Sequence, residues 1–314
     1  MWMRRIRIEL TSNITGKKMI FDTYDEDKKR QKDSLSISIS GSKSNALMRD
    51  KGMITITNLP YDKIVEIIEY EYYDIDIYAG YLDTSLTLIH SGGVSYISKK
   101  IFSHHDEETY ICYASKYVAK YSQERMKFYF NSSINIYAAL SYMQNETNMR
   151  VGMNPELKQA LIDHTTELNG SITTILEAIM TEAGGDFTLD TDYIDANVIN
   201  ITKVDDKRRI NLDEKYLSVA KGNPTLSTEG LDIYLLPAMD YKIGDIIRIP
   251  NAIIDMSIAS PDVTDTFTSN YVDTNGEYMI YKLEYNLQNR GNEFIYHVKA
   301  RALSVIRNLT GTDL

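Results

Sequence analysis

The sequence is poor in several features that would point to particular classes of protein. Its 314 residues include a single cysteine, Cys112, which excludes an internal disulfide and a zinc site built on cysteines. No apolar run approaches the roughly 20 residues of a membrane span, and the charged N-terminus lacks the apolar stretch of a signal peptide. We therefore expect a protein that is made and assembled in a reducing cytoplasm.

Positive charge is also scarce. The chain has 34 Lys and Arg against 44 Asp and Glu, a net charge of −10. A protein that grips a phosphate backbone needs clustered positive charge, so the balance argues against a general nucleic-acid binder. The length corresponds to about two domains at about 150 residues each.

Tyrosine is the residue type in excess, with 24 Tyr beside 7 Phe and 1 Trp. A tyrosine combines apolar area with a polar tip, which suits wide and partly hydrated protein interfaces. Tyrosine is also a good strand residue. Both interpretations stay open from composition alone.

The densest group of potential metal ligands is residues 104–108, two histidines followed by three acids. Adjacent residues on a strand or turn point apart, whereas a metal needs donors that converge. We interpret the segment as a solvated hairpin tip, with a metal at His104 and His105 as the alternative. His297 alternates with Lys299 and Arg301, which predicts a solvated or interface face.

Motifs of catalysis are missing from the sequence. No Gly-x-Ser-x-Gly elbow occurs, and residues 41–44 (Gly-Ser-Lys-Ser) lack the leading glycine of a phosphate loop. The acidic pairs at 190–192 and 205–206 do not belong to a twelve-residue calcium loop. We expect no catalytic residue, no metal and no cofactor, and hence not an enzyme.

Alternation of apolar and polar residues, typical of half-buried strands, covers most of the first 120 residues. The alternating segments are 5–10, 34–40, 54–57, 74–80, 86–90, 93–100 and 110–114. Residues 61–69 have the apolar spacing of a short helix instead. The pattern predicts an antiparallel sheet.

Helical spacing appears after about residue 120. Helices are predicted at 134–144, with Asn131 as a possible cap, at 156–163 and at 171–183, which opens at Ser171. Strands are predicted again at 187–189, 198–204, 230–236, 246–249, 276–285 and 292–301. The fold class is therefore mainly β with a helix-containing insert.

Two strand faces have a composition that suits a wet channel. Asp74 and Asp76 share one face, and the serine face of residues 34–40, which includes Ser36 and Ser38, is small and uncharged. Such groups would repel a phosphate polymer rather than hold it. Ordinary solvated strand faces are the alternative interpretation. We take Asp74, Asp76, Ser36 and Ser38 as candidate lumen-facing residues.

Three stretches of the chain carry short motifs in an order that one protein family shares. The first stretch is a strand ending in Asn-Leu-Pro at 53–60 that leads through a helix to Ala-Gly-Tyr at 79–81 and a strand at 87–94. The second is the helix at 171–184. The third is Gly-Asn-Pro at 222–224 followed by Leu-Pro at 236–237, Gly-Asp at 244–245 and a strand at 276–280. In this order they resemble the baseplate hub proteins of contractile-tailed bacteriophages, the family that includes late-control proteins and the bases of injection spikes.

The resemblance implies a particular architecture and assembly. Two tail-tube-like antiparallel β-barrels, at 1–120 and 206–314, would enclose a small α/β inserted domain at 121–205. Three copies would form a homotrimeric ring in the virion tail baseplate that adapts the hexameric tail tube to the trimeric central spike. The implied partners are a tail-tube or tube-initiator protein, the spike protein and other baseplate proteins, while DNA crosses the lumen without specific binding.

Two other functions stay open from the sequence. A hexameric tail-tube initiator or tail-tip protein would need a single barrel, so the length favours the hub. A peptidoglycan hydrolase or glycan-binding β-protein would be of another class, and the lack of a catalytic motif disfavours it.

Overall fold

The structure, a computed structural model, is mainly β with a few helices, which confirms the predicted fold class. It describes residues 3–24, 35–44, 50–82, 85–101, 107–114, 125–130, 134–147, 150–152, 161–162, 166–182, 187–191, 198–203, 206–212, 220–227, 230–250, 253–255, 273 and 275–303. In these residues no helix is long and apolar enough to cross a membrane.

The described residues of the first part of the chain form seven strands of one large sheet, and the alternating pattern predicts all of them except the strand at Lys18–Asp22. They are β1 (Arg4–Thr11), β2 (Lys18–Asp22), β3 (Ser36–Ser44), β4 (Lys51–Thr57), β5 (Asp74–Tyr81), β6 (Thr87–Ile101) and β7 (Glu107–Ala114). The two strands predicted at 86–90 and 93–100 are one strand, β6, because bulges absorb the breaks in its alternation.

The Asn-Leu-Pro motif joins β4 to helix α1 (Tyr61–Glu69) for identifiable reasons. Asn58 adopts a positive φ of 55°, which asparagine tolerates better than most residues, and its Oδ1 accepts a hydrogen bond from the Glu107 amide at 3.0 Å. Leu59 is buried, and Pro60 is the N-cap residue of α1. The motif therefore ends a strand, anchors it to β7 and starts a helix.

The middle of the chain pairs within itself among the described strands. Its elements are β8 (Arg125–Phe130), β9 (Ile134–Asn135), α2 (Ile136–Thr147), β10 (Arg150–Gly152), β11 (Leu161–Ile162), β12 (Thr166–Ser171), α3 (Ile172–Glu182), β13 (Phe187–Thr191) and β14 (Val198–Lys203). They form three small sheets apart from the large one: β10-β14-β13, β11-β9 and β12-β8.

Two of the three predicted helices in this part are confirmed, and one is wrong where it is described. Ser171 caps α3 by accepting a hydrogen bond from the Thr174 amide at 3.2 Å. Residues 161–162, predicted as helical, are strand β11, in which Ile162 is buried opposite Ile134. A short apolar run has no period that distinguishes helix from strand, and pairing decided the outcome. Asn131 lies outside the described residues.

The last part of the chain adds six strands to the large sheet. They are β15 (Arg209–Asn211), β16 (Thr225–Ser227), β17 (Gly230–Leu235), β18 (Ile246–Arg248), β19 (Glu277–Gln288) and β20 (Phe294–Ala302). The sheet has 13 strands in the order β16-β17-β20-β19-β3-β4-β7-β6-β5-β1-β2, with β18 pairing β19 and β15. The β19–β3 pair joins the two ends of the chain, and one core cluster contains side chains from both. The domain boundaries at 120 and 205 remain a prediction.

Arg4 at the start of β1 ties the N-terminus to the turn between β19 and β20. Its guanidinium donates to the backbone carbonyls of Gln288, Gly291, Asn292 and Glu293, at 2.6 to 3.4 Å. The same group lies 5.4 Å from the ring centre of Phe294. A planar cation with five donors can serve several carbonyls at once, whereas an ammonium group cannot reproduce that geometry.

We predict that Arg4→Ala lowers the free energy of unfolding by about 2 kcal/mol, since it removes charge-assisted hydrogen bonds. Arg4→Lys should recover less than half of that loss. Urea unfolding measures both, with Arg248→Ala, an exposed arginine on β18, as the matched control. Equal losses in Arg4→Ala and Arg248→Ala would contradict this role of Arg4.

Candidate functional site: the polar face of the sheet

The large sheet has one face on the core and one polar face. On β19, Leu283, Tyr285 and Leu287 are buried, while Glu284 and Asn286 between them are half-buried. The same alternation runs along β3 and β5. We call the side away from the core the polar face.

Strand register makes the polar face continuous across the sheet, from strands near the N-terminus to strands near the C-terminus. Residues directly opposite in an antiparallel pair project to the same side. One such line crosses nine strands through Thr11, Asp74, Gly93, Ala114, Lys51, Ser42, Glu284, His297 and Tyr234. Eight strand spacings correspond to about 38 Å measured along the sheet. The face is therefore wide enough to line a channel or to form an extended interface.

The structure puts all four predicted lumen residues on this face, but not next to one another. Asp74 and Asp76 lie on β5, and Asp76 Oδ1 accepts a hydrogen bond from the Ser91 hydroxyl at 2.6 Å. Ser36 and Ser38 lie on β3, four strand spacings or about 19 Å away. The four residues thus mark two separate parts of one surface, and their facing a lumen remains a prediction.

The β3 part of the polar face is a strip of small hydroxyl groups. Ser36 and Ser38 are half-buried and stand opposite Thr57 and Thr55 of β4. On the other side, Ser38 stands opposite Gln288 of β19. None of these side chains carries a charge, so this strip can form hydrogen bonds but exerts no electrostatic attraction.

The β1–β2 end of the face contains a compensated acid. Glu9 stands opposite Asp76 and is contacted by Arg7 and Lys18, each with a nitrogen at 2.7 Å from a carboxylate oxygen. Burial acts to raise the pKa of Glu9, but the two cations outweigh burial and hold its pKa below the usual value. Glu9 is therefore neutralised by Arg7 and Lys18.

The β17–β20 end is organised around His297. Its Nδ1 lies 3.0 Å from Glu284 Oε2 and its Nε2 lies 2.7 Å from Asp232 Oδ1, so the ring links three strands. The ring also stacks on Tyr234 at 4.5 Å. Lys282 lies 2.7 Å from Glu284 and lowers the pKa of that carboxyl. His297, predicted to lie on a solvated or interface face, is half-buried on the polar face, and an interface at this position remains a prediction.

Beneath the polar face, Lys43 projects into the core side of β3. Burial lowers its pKa to about 8, and Asp50 and Asp240 act in the opposite direction. Burial likewise raises the pKa of Asp50 to about 6, with Lys43 opposing the shift. Between pH 6 and pH 8 both groups are charged. We call the region where β3 meets β19 the joint; it therefore contains a buried cation and a half-buried acid.

Aromatic side chains fill the same joint. The hydroxyls of Tyr113 and Tyr285 are 2.9 Å apart, and the His90 ring lies 4.7 Å from the Tyr113 ring. A side chain at Gly41 would come within 2.5 Å of Tyr285, so the glycine makes room for the pair. His90 Nε2 has no hydrogen-bond partner among the described residues, and burial lowers the pKa of His90 to about 3. The ring is neutral at physiological pH.

Sequence reasoning missed this joint, although one signal could have found it. The uninterrupted alternation ends at Ser40, whereas β3 continues to Ser44. Extending the same period by two steps places Gly41 and Lys43 on the side of Ile37 and Ile39. Residues 41–44 are strand, which confirms that they are not a phosphate loop.

The structure does not test the metal alternative. His104 and His105 lie outside the described residues. In the part of the chain that is described, no group of three or more His, Cys, Asp or Glu side chains could hold a metal ion.

Known structures share this fold, although the chain matches no protein-family model and no curated protein. The 43 kDa tail protein of prophage MuSo2 from Shewanella oneidensis aligns over 96% of this chain and 98% of its own, with a TM-score of 0.53 and 9% identity. A tail protein from Neisseria meningitidis MC58 aligns over 98% and 99%, with a TM-score of 0.51 and 6% identity. A chain of a Francisella PdpA–VgrG complex aligns over 96% of this chain and 58% of its own, with a TM-score of 0.50 and 9% identity. The chain therefore has the fold of phage tail proteins.

We predict that the double variant Lys43→Met/Asp50→Leu is more stable than the native chain by about 1–4 kcal/mol near pH 7, because the attraction between buried charges rarely offsets their desolvation cost. Because the pKa of Lys43 is lowered in the folded state, the native chain becomes less stable as pH falls from about 10 to 8. Because the pKa of Asp50 is raised in the folded state, the native chain also becomes less stable as pH rises from about 4 to 6. The advantage of the double variant should thus be largest between pH 6 and 8.

Urea unfolding across this pH range is the measurement, and Lys43→Met alone is the control. The single variant leaves the Asp50 carboxylate without its cation and should be less stable than the double variant. An advantage of the double variant that does not change between pH 4 and pH 10 would contradict the assignment.

Proposed function

We propose that this chain is a structural subunit of a phage tail baseplate hub. Three copies form a ring that adapts the hexameric tail tube to the trimeric central spike and leaves a lumen for DNA. The observation that carries the proposal is the likeness to the Shewanella tail protein over nearly the whole of both chains, at a TM-score of 0.53. The ordered motifs of the sequence support the same assignment.

The polar face is the surface that lines the lumen in this proposal. Small uncharged groups, acids and paired cations weaken the hold of a surface on DNA, although the exposed Lys51 also lies on this face. The serine strip of β3 supplies the first and Asp74 and Asp76 supply the second. Lys282 is paired with Glu284, and Lys299 lies 3.9 Å from Asp232.

The ends of the sheet supply the contacts between copies and to the tube. The described sheet ends at β2 on one side and at β16 on the other. An edge strand presents backbone N–H and C=O groups that can pair with another chain, and β2 also exposes Ile20. Assembly into a ring turns such edges into interfaces. No catalytic residue is assigned, and the role is architectural.

We expect the purified chain to form a species of about 108 kDa, three copies of 36.0 kDa, in native mass spectrometry and sedimentation at increasing concentration. A complex of six copies would instead favour a hexameric tube initiator. A chain that stays monomeric at the highest attainable concentration would contradict the hub assignment.

We expect Asp74→Lys with Asp76→Lys to slow DNA release from assembled particles, because lysines would hold phosphates that the aspartates repel. The delay should shrink as salt is raised, since the attraction is screened. Release kinetics from a DNA-dye signal measure the effect. Glu146→Lys with Asp206→Lys, two exposed acids outside the polar face, is the matched control. Equal rates of DNA release from the two double variants would contradict the assignment of Asp74 and Asp76 to the lumen.

A further inference from the structure

Helix α1 presents apolar side chains to solvent as well as to the core. Ile64 and Ile67 are buried beneath it. Tyr61, Val65 and Ile68, spaced i, i+4 and i+7, form a second stripe that is 69%, 39% and 55% exposed. A surface helix that packs only against the core of its own chain buries one apolar stripe and has polar side chains on the opposite side. The second stripe therefore calls for a separate explanation.

The neighbouring turn extends this stripe beyond the end of the helix. The turn after β1 is held against the helix end by a hydrogen bond from the Asn13 amide to the Glu71 carbonyl at 2.9 Å. Ile14 in that turn and Tyr70 after the helix are both exposed. We call this set the α1 surface; its members are Tyr61, Val65, Ile68, Tyr70 and Ile14. Exposed apolar side chains that share one helix and its adjoining turn are typical of interaction sites.

Acidic residues border the α1 surface. Asp62, Glu66 and Glu69 follow the apolar stripe on the solvent side of the helix. Two cations lie at this border: Lys63 is 2.8 Å from Glu66, and Lys99 Nζ is 5.6 Å from the centre of the Tyr61 ring. The three acids outnumber these cations, so a partner that fits presents apolar or aromatic groups together with lysine or arginine.

The chain itself has a surface of this complementary kind on β8. Phe128 and Phe130 are buried on one side of this strand, and Arg125, Lys127 and Tyr129 are exposed on the other. Lys127 lies 2.8 Å from Glu167, but both side chains are at least half exposed, so the pair is weak and exchangeable. We call Arg125, Lys127 and Tyr129 the β8 surface.

We propose that the α1 surface of one copy docks on the β8 surface of a second copy. Both surfaces are exposed in the single chain, so they do not cover each other within it. Copies with a net charge of −10 repel each other unless a basic patch meets an acidic one. A contact between two different surfaces is heterologous and closes into a ring when the rotation allows. The proposal rests on the proposed trimer and says where its copies touch.

Charge reversal tests the contact in the full-length chain. Glu69→Lys and Lys127→Glu should each weaken trimer formation about tenfold in sedimentation equilibrium, because like charges then face each other. The double variant restores opposite charges and should return to within about threefold of the native chain. Ile68→Asp should also weaken the trimer, and Lys127→Glu should not rescue that variant.

Exposed charges elsewhere supply the matched controls. Glu146→Lys and Lys221→Glu carry the same reversals outside both surfaces and should leave assembly unchanged. Circular dichroism and thermal unfolding establish that each variant is folded.

The outcomes separate this proposal from the hub assignment. A native trimer that neither single reversal weakens overturns the α1–β8 contact and leaves the hub assignment standing. Weakening by both single reversals without rescue in the double variant also overturns the contact, since the two surfaces then do not face each other. A native chain that never assembles overturns the trimer and this contact together.

Discussion

The ladder between β3 and β19 is the interaction on which the rest of the structure depends. It pairs Ser38–Ser44 with Lys282–Gln288, residues near opposite ends of the chain. Closing so long a loop costs conformational entropy, and such non-local pairing slows folding. The carbonyl contacts of Arg4 reinforce the same closure from β1. Without this ladder the polar face would end at β3, and the core would not be shared.

The ladder also determines where the buried charge of Lys43 lies. It brings Lys43 opposite Leu283 and Gly41 opposite Tyr285, under strands from both ends of the chain. A purely apolar joint could slide by two residues and still bury its side chains. The attraction of Lys43 to Asp50 and the 2.9 Å contact of the Tyr285 hydroxyl with Tyr113 tolerate fewer registers. We therefore expect the polar joint to specify alignment at some cost in stability.

Sequence reasoning recovered what is local and missed what is not. The alternation of residues 74–80 and the apolar spacing of residues 61–69 led to β5 and α1, because one face of each element is buried. The β3–β19 pairing has no local signal, and a buried lysine such as Lys43 is hard to predict because lysine is normally a surface residue. The same limit applies to tyrosine. Eight tyrosines are buried in the described structure, including the Tyr113–Tyr285 pair, while others such as Tyr61 and Tyr129 are exposed, so the excess serves both core and surface.

In the proposed assembly the polar face of the sheet lines the lumen of a three-membered ring. An electron cryo-microscopy map of the assembled protein tests this claim most directly. The account predicts threefold symmetry and a central hole, with the line of residues through Asp74 and Ser42 facing the hole. A closed or non-ring particle, or a ring whose polar face points outward, would contradict it.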